Sequence, residues 1–190
     1  PPLCHMLIGP PGSGKTTLAR HLHQLIPQSC VVSTDQIRQH LYGDPTIQGS
    51  WPQIEAVVEA QARQAIHQGQ TLIYDATNAK RIWRQALLQR LAPLQTPWVG
   101  WPLTTPLATC LEWNRQRSRA VDPVVIAAMH QDLRQFPPQA DEGFIALYPL
   151  DPRQGLEAVE AQLQSLVKVL QLGRLLTDPS GPQGAGPGYG

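Results

Sequence analysis

The chain has 190 residues, of which 42% are hydrophobic, and this is the size and apolar content of one ordinary folded domain. Its 15 Lys and Arg residues nearly balance 14 Asp and Glu residues, so the net charge is +1. This charge argues against a protein that coats long stretches of nucleic acid, because such proteins need a basic face. It is compatible with a protein that binds a single phosphate end.

Cysteine content and hydropathy indicate the expected compartment. Cys4, Cys30 and Cys110 are too few and too scattered for a disulfide framework or a zinc site, so we expect reduced thiols in a cytoplasmic protein. No apolar run approaches the roughly 18 residues that a membrane-spanning helix needs. The apolar run at residues 3–8 is too short for a signal peptide and leads directly into a glycine-rich loop.

Short apolar runs alternate with longer helical patterns along the chain. Five runs are typical of strands: residues 3–8, 30–33, 71–74, 98–101 and 144–148. Helical patterns occupy residues 16–26, 35–41, about 50–69, a stretch ending near 91, 105–115, 122–135 and 156–170. This alternation predicts a three-layer α/β/α fold around a parallel sheet of about five strands.

The expected domain covers residues 1–172 and includes a two-helix lid at about 112–136. The second lid helix begins at Asp122-Pro123, which is a typical helix start. Eight of the thirteen residues from 178 to 190 are Gly or Pro. Such a composition buries too little surface to become ordered, so residues 173–190 are predicted to form a flexible tail.

The first strand is followed by Gly-Pro-Pro-Gly-Ser-Gly-Lys-Thr-Thr, which matches the phosphate-loop pattern G-x-x-x-x-G-K-S/T between a strand and a helix. Glycines let the backbone N–H groups face phosphate oxygens, and the following helix adds its positive N-terminal end. Lys15 is expected to reach the β- and γ-phosphates of ATP, and the Thr16 hydroxyl to ligate Mg²⁺. The predicted nucleotide-binding residues are Gly9, Pro11, Gly12, Ser13, Gly14, Lys15, Thr16 and Thr17.

Two classes of phosphate-loop protein fit poorly. A GTPase would carry an Asn-Lys-x-Asp guanine reader, and none of the three lysines lies in one. A hydrolytic motor usually has a second carboxylate after the Asp of its acidic strand, whereas Asp75 is followed by Ala76. Asp75 is therefore predicted to act on Mg²⁺ through a bound water. The lack of a water-activating neighbour favours phosphoryl transfer to a bound hydroxyl.

That hydroxyl needs a base, and Asp35 follows the second strand, beside the phosphate loop. Arg38 lies on the same helical face and suits a phosphate-bearing acceptor. The alternative is that Asp35 only caps a helix and Arg38 is its surface partner. Three residues after the third strand are predicted to line the acceptor groove, Thr77, Asn78 and Arg84, although Asn78 is an equally good helix cap.

Three arginines lie where a helix is predicted to end: Arg115, Arg117 and Arg119. Residues two apart do not share a helical face, so these side chains are expected to fan out. Without nearby acids they are typical of a mobile clamp on phosphoryl charge, with Arg115 on the nucleotide. The alternative is a solvated basic stretch.

Two of the five tryptophans have two interpretations each. Trp51 either stacks on an acceptor base or packs, and Trp113 either approaches adenine or packs. The other three, Trp83, Trp98 and Trp101, are expected in the core.

With these residues in view, the chain resembles the phosphate-loop kinase domain of 5′-hydroxyl polynucleotide kinases and their stand-alone relatives. Five segments carry the resemblance: residues 9–20, 33–38 with 41–44, 74–78, 114–117 with 121–123, and 142–144. The resemblance implies Lys15 and Thr16 for ATP–Mg²⁺ and Asp35 as general base. It also implies Arg38 on the phosphate beside the acceptor hydroxyl and Arg117 on the transferring phosphate.

Three functions therefore stay open. The first is ATP- and Mg²⁺-dependent phosphorylation of the 5′-hydroxyl of a polynucleotide end. The second is a kinase acting on a nucleotide or other small anionic metabolite, which the near-zero net charge favours. The third is an ATP-binding regulator without a phosphoryl acceptor.

Overall fold

The computed structural model describes residues 2–154 and 156–177. Within this part of the chain the strands are β1 (Cys4–Ile8), β2 (Ser29–Ser33), β3 (Thr71–Asp75), β4 (Trp98–Pro102) and β5 (Ala146–Leu147). The helices are α1 (Lys15–Leu25), α2 (Thr34–Tyr42), α3 (Trp51–His67), α4 (Arg81–Leu91), α5 (Leu107–Arg115), α6 (Pro123–Gln135) and α7 (Leu156–Thr177). Among the residues described, no helix combines the length and the apolar character needed to cross a bilayer.

All strand pairs are parallel, and the sheet order is β2-β3-β1-β4-β5. The register aligns Leu7 of β1 with Asp75 of β3, and Asp75 with Ser33 of β2. The last residues of these three strands therefore lie at one edge of the sheet, and the loops that follow them must meet there.

Helices cover both faces of the sheet, since β1 and β3 are buried along their whole length. One apolar core lies between the sheet and α2, α3 and α4. The other lies between the sheet, α1 and α7. The predicted three-layer α/β/α fold with a five-stranded parallel sheet is confirmed. Helices α5 and α6, which span the region expected to form a lid, contact each other.

Two element boundaries differ from prediction. The last strand is only Ala146–Leu147, at the edge of the sheet, although Tyr148 N and Leu150 N still donate to the carbonyl oxygens of Gly100 and Pro102 of β4. Helix α7 continues to Thr177, past the expected end at residue 170 and into the segment assigned to a tail. Residues 178–190 of the predicted tail lie outside the described residues.

The expectation of a buried Trp83 is wrong, although Trp98 and Trp101 do lie in the core. The buried stripe of α4 begins one residue later, at Arg84, and continues through the leucines of that helix. Trp83 precedes the stripe and remains 37% exposed, facing Trp51.

A buried imidazole lies in the central strand of the sheet. His5 is 1% exposed, and its Nδ1 accepts a hydrogen bond of 3.0 Å from Trp101 Nε1. Because an indole nitrogen only donates, the imidazole must be neutral in the folded protein. Burial lowers the pKa of His5 from 6.5 to about 4. Between pH 4 and pH 6.5 the unfolded chain therefore binds a proton at His5 that the folded chain does not bind.

We predict that this histidine makes the fold sensitive to mild acid. Stability is complete above pH 6.5 and falls as the pH decreases toward 4, with a loss of about 2 kcal/mol from His5 by pH 5. Urea unfolding at pH 7.5 and pH 5.0 measures this loss. His5→Gln keeps an acceptor for Trp101 without a titrating group, so its loss should be smaller by that amount. His67→Gln, at an exposed position, is the control and should behave like the parent protein.

Candidate active site

A cleft of about 570 Å³ opens at the sheet edge where β1, β2 and β3 end. Its floor is the loop between β1 and α1, and its sides are the start of α2, the loop after β3 and the lid helices. Most of the residues predicted for the site line it: Pro11, Gly12, Gly14, Lys15, Thr16, Thr17, Asp35, Arg38, Asp75, Thr77 and Arg117. The parallel register thus brings together residues that are up to about a hundred positions apart in sequence.

The glycine-rich loop depends on a backbone that other residues adopt with strain. Gly12 and Gly14 have φ angles of +78° and +98°. A Cβ atom on Gly12 would collide with the carbonyl oxygen of Cys110 on α5, so the loop packs tightly against the lid. Gly9 and Ser13 support the loop without lining the cleft: the space beside Gly9 is filled by the buried Ser13 hydroxyl.

The loop and the start of α1 fit a triphosphate. Gly14 provides no side chain to cap α1, and the first turn of the helix has no acidic residue. Its N–H groups and positive helix end are therefore directed at the cleft. Lys15 Nζ donates to the Pro10 carbonyl oxygen at 2.9 Å, which holds the ammonium over the loop.

Thr16 and Asp75 fit a hydrated magnesium ion. Thr16 Oγ1 donates to Asp75 Oδ2 at 3.0 Å, so both hard oxygen ligands lie beside the loop. Burial raises the pKa of Asp75, while Lys15 and the Thr16 hydrogen bond act against that shift. Burial likewise lowers the pKa of Lys15, and Asp75 and Asp35 oppose the shift. The attraction between the opposite charges therefore offsets part of the cost of burying each one.

Asp35 lies opposite the loop, in the first turn of α2, and two guanidiniums face it. Arg38 Nη1 is 3.4 Å from Asp35 Oδ1, and Arg117 Nη2 is 3.7 Å from Asp35 Oδ2. The helix cap is Ser33, whose side chain accepts from Gln36 N, and not Asp35. Arg38 Nε is buried and has no hydrogen-bond partner among the described residues. Of the alternative interpretation, the capping role of Asp35 is thus wrong, whereas its pairing with Arg38 is present.

The arginine segment follows the end of α5 and fans out as predicted, but each guanidinium faces an acid. Arg117 pairs with Asp35, Arg119 with Asp44 at 3.3 Å, and Arg115 with Glu112. The expectation of arginines without nearby acids is therefore wrong. Arg115 is 71% exposed and lies outside the residues that line the cleft, because its partner is one turn back on α5.

A buried asparagine that the sequence analysis did not single out for a role fixes this segment. Asn114 Nδ2 donates to the Val121 carbonyl oxygen at 2.8 Å, and Asn114 Oδ1 accepts from Val121 N at 2.9 Å. The loop that carries Arg117 is thereby closed by one side chain. The only signal in the sequence was an amide side chain just before the arginines, which by itself has no specific meaning.

Two residues predicted for the acceptor groove have structural roles. Arg84 is 0% exposed and makes a bidentate ion pair with Glu142, with further bonds to the carbonyl oxygens of Asn78, Ala79 and Phe136. Its guanidinium has no donor left to offer, so placing Arg84 in the groove was wrong.

Asn78 does line the second cavity described below, but its side-chain amide is occupied with the backbone. It is buried at φ +50° and its Nδ2 donates to the carbonyl oxygens of Leu7 and Ala76. It therefore holds the loop after β3 against β1. It is not the cap of α4 either, since that position is Lys80.

A second, smaller cavity of about 190 Å³ adjoins the cleft beyond Arg38. Trp51 and Trp83 line it, and their ring centroids are 6.1 Å apart. Met129 of the lid lines both spaces, and nothing in its helical spacing distinguished it from a core residue. Trp113 lines the main cleft beside the glycine loop, in contact with the position of Gly14.

Solved structures share this architecture. A putative kinase from Chloroflexus aurantiacus superposes with a TM-score of 0.69 at 18% identity, over 90% of this chain and 97% of the other. A gluconokinase from Sinorhizobium meliloti gives 0.62 at 14% identity, over 93% and 98%. A chain of the Pnkp1/Rnl/Hen1 RNA repair complex gives 0.64 at 20% identity, over 70% of this chain and 44% of that chain. At these identities the likeness concerns the fold alone.

No curated protein matches the sequence. A protein family does, over residues 4–137, which is more than half of the chain and includes the glycine loop, β3 and both lid helices up to the end of α6. The fold is that of a phosphate-loop kinase. The chain belongs to the AAA_33 family, which is described as an AAA domain.

Proposed function

We propose that this protein is an ATP- and Mg²⁺-dependent kinase that transfers the γ-phosphoryl group to the 5′-hydroxyl of a polynucleotide end. The observation that carries the proposal is the Asp35 carboxylate in the same cleft as the phosphate loop, between Arg38 and Arg117. A hydrolase needs a group that activates water, and Ala76 follows Asp75 where such a group would stand. A carboxylate opposite the loop instead suits an alcohol acceptor.

In the proposed reaction Asp35 takes the proton of the acceptor hydroxyl as its oxygen bonds to the γ-phosphorus. The bond from that phosphorus to the bridging oxygen breaks, and ADP leaves with the electron pair. The positive charges of Lys15 and Arg117 stabilise the negative charge that develops on the oxygens of the transferring phosphoryl group. A magnesium ion held by Thr16, and through water by Asp75, would supply further charge neutralisation. The lid excludes water from the cleft.

Arg38 supports an acceptor that carries phosphate. Its side chain is 13% exposed, and its Nε has no partner among the residues described. A buried guanidinium donor without an acceptor is costly, so a phosphate oxygen beside the acceptor hydroxyl would satisfy it. A polynucleotide end has such a phosphate one nucleotide in from its 5′-hydroxyl. The resemblance to polynucleotide kinases at residues 33–38 points the same way.

A kinase for a small anionic metabolite is the second candidate. The net charge of +1 favours it, because a long nucleic-acid path usually has a basic face. The gluconokinase and a shikimate kinase from Acinetobacter baumannii share the fold. Both candidates use the same base and differ only in the acceptor.

An acceptor screen separates the two candidates. We expect γ-labelled ATP to transfer its label to a 5′-hydroxyl oligonucleotide in the presence of Mg²⁺, and not to a 5′-phosphorylated control. A panel of sugars, shikimate and nucleoside monophosphates is followed in parallel by ADP release. Turnover of a panel member with no labelled strand would replace the polynucleotide acceptor by a metabolite.

Asp35→Asn tests the proposed base. Loss of proton acceptance should lower kcat by roughly 10²–10⁴-fold with little effect on ATP affinity. Single-turnover transfer and equilibrium ATP binding measure the two quantities. Asp141→Asn, at an exposed carboxylate outside the cleft, is the control and should retain full activity. An unchanged kcat in Asp35→Asn would rule out Asp35 as the base, whereas ATP binding without transfer to any acceptor in the parent protein would favour an ATP-binding regulator.

Arg38→Ala tests the proposed acceptor contact. If Arg38 binds phosphate in the ground state, the substitution should raise KM for a phosphate-bearing acceptor by roughly tenfold or more and change kcat little. Steady-state kinetics against acceptor concentration give the two parameters separately. An unchanged KM would assign Arg38 to the transition state or to the fold.

A further inference from the structure

The smaller cavity lies on the acceptor side of the cleft. It shares Thr34, Arg38 and Thr77 with the main cleft, so the two spaces adjoin beside the start of α2. Its volume of about 190 Å³ is below the roughly 300 Å³ at which sites for drug-sized ligands begin. The space therefore suits a single ring system rather than a chain of several groups.

Two indoles line this cavity. The Trp51 and Trp83 rings are inclined by 31°, and the two side chains are 36% and 37% exposed. Lys80 Nζ lies 5.0 Å from the Trp83 ring centroid. Partly exposed indoles beside a reaction cleft offer stacking to a flat ligand.

The same cavity contains polar groups that a purely apolar occupant would leave unsatisfied. Glu55 lines it with a half-buried carboxylate, and one of its oxygens, Oε2, is paired with Arg90 at 3.0 Å. Tyr74 and Gln48 also line it and bring a hydroxyl and an amide. Burying a carboxylate oxygen under hydrocarbon is costly, so the occupant should carry N–H or O–H donors. A nucleobase combines such donors at its edge with a flat face for the indoles.

We propose that this cavity, bounded by Trp51 and Trp83, binds the base of the acceptor's terminal nucleoside by stacking and by N–H donation to Glu55. The inference rests on the proposed kinase function and deepens it, since it assigns a site to a group remote from the reacting hydroxyl. Arg38 lies between this cavity and the main cleft, so in the proposed complex it lies between the base and the phosphate of the acceptor. Sugars and shikimate have no flat aromatic face for the two indoles, so the cavity also favours nucleoside-containing acceptors over them.

The test compares two oligonucleotides that differ only at the 5′ residue. One carries a normal nucleoside, and the other an abasic deoxyribose with the same free 5′-hydroxyl. For the parent protein we expect kcat/KM to be roughly 5- to 150-fold higher with the base, the range that stacking on an aromatic side chain provides. Equal values would overturn the base site while the kinase function stands. No transfer to either strand would instead overturn the kinase function.

Variants connect the effect to the tryptophans. Trp51→Ala should lower kcat/KM for the base-bearing strand by a comparable factor, mainly through KM, and leave the abasic strand unchanged. Trp51→Phe keeps an aromatic face and should retain most of the preference. Ile82→Ala, at a 69% exposed position next to Trp83, is the control and should keep the full preference. Equal losses on both strands in Trp51→Ala would make Trp51 a folding residue only and overturn its role.

Discussion

The parallel register of β1, β2 and β3 is the constraint on which the rest of the site depends. Asp75 is aligned with Leu7 on one side and Ser33 on the other, so three strands end level with one another. The phosphate loop, the start of α2 and the loop after β3 must then share one edge of the sheet. A slip of one strand by a single residue would turn Asp75 to the opposite face and break its contact with Thr16.

Positively charged side chains outnumber negatively charged ones at this edge of the sheet. Lys15, Arg38 and Arg117 face two carboxylates, Asp35 and Asp75, across one cleft. Burial raises the pKa of Asp75 and lowers the pKa of Lys15, and the attraction between the two charges opposes both shifts. The surplus of positive charge suits a polyphosphate. The cleft thus has a local excess of positive charge although the whole chain is almost neutral.

The two ends of the cleft are built from different chemistry. Backbone N–H groups and glycines form the end that fits the phosphate donor, because every nucleoside triphosphate offers the same phosphate oxygens. Side chains form the proposed acceptor end, where two indoles and a carboxylate line the cavity beyond Arg38. Backbone recognition is uniform across phosphate-loop proteins, whereas side chains vary freely. The proposed acceptor end is therefore the part in which we expect this chain to have its own specificity.

The sequence by itself determined the layered fold, through its strand–helix alternation, and the phosphate loop, through a local motif. It also determined the partnership of Thr16 and Asp75, because Thr16 lies in that motif and Asp75 at the end of a strand. It misplaced Arg84, Trp83 and Arg115. Whether an arginine or tryptophan lines a cleft depends on partners tens of residues away, such as Glu142 for Arg84, and periodicity carries no information about them. Only the tertiary structure decided those positions and opened the cavity beside Arg38, since helix α3 and helix α4 must first pack together before two indoles can face each other.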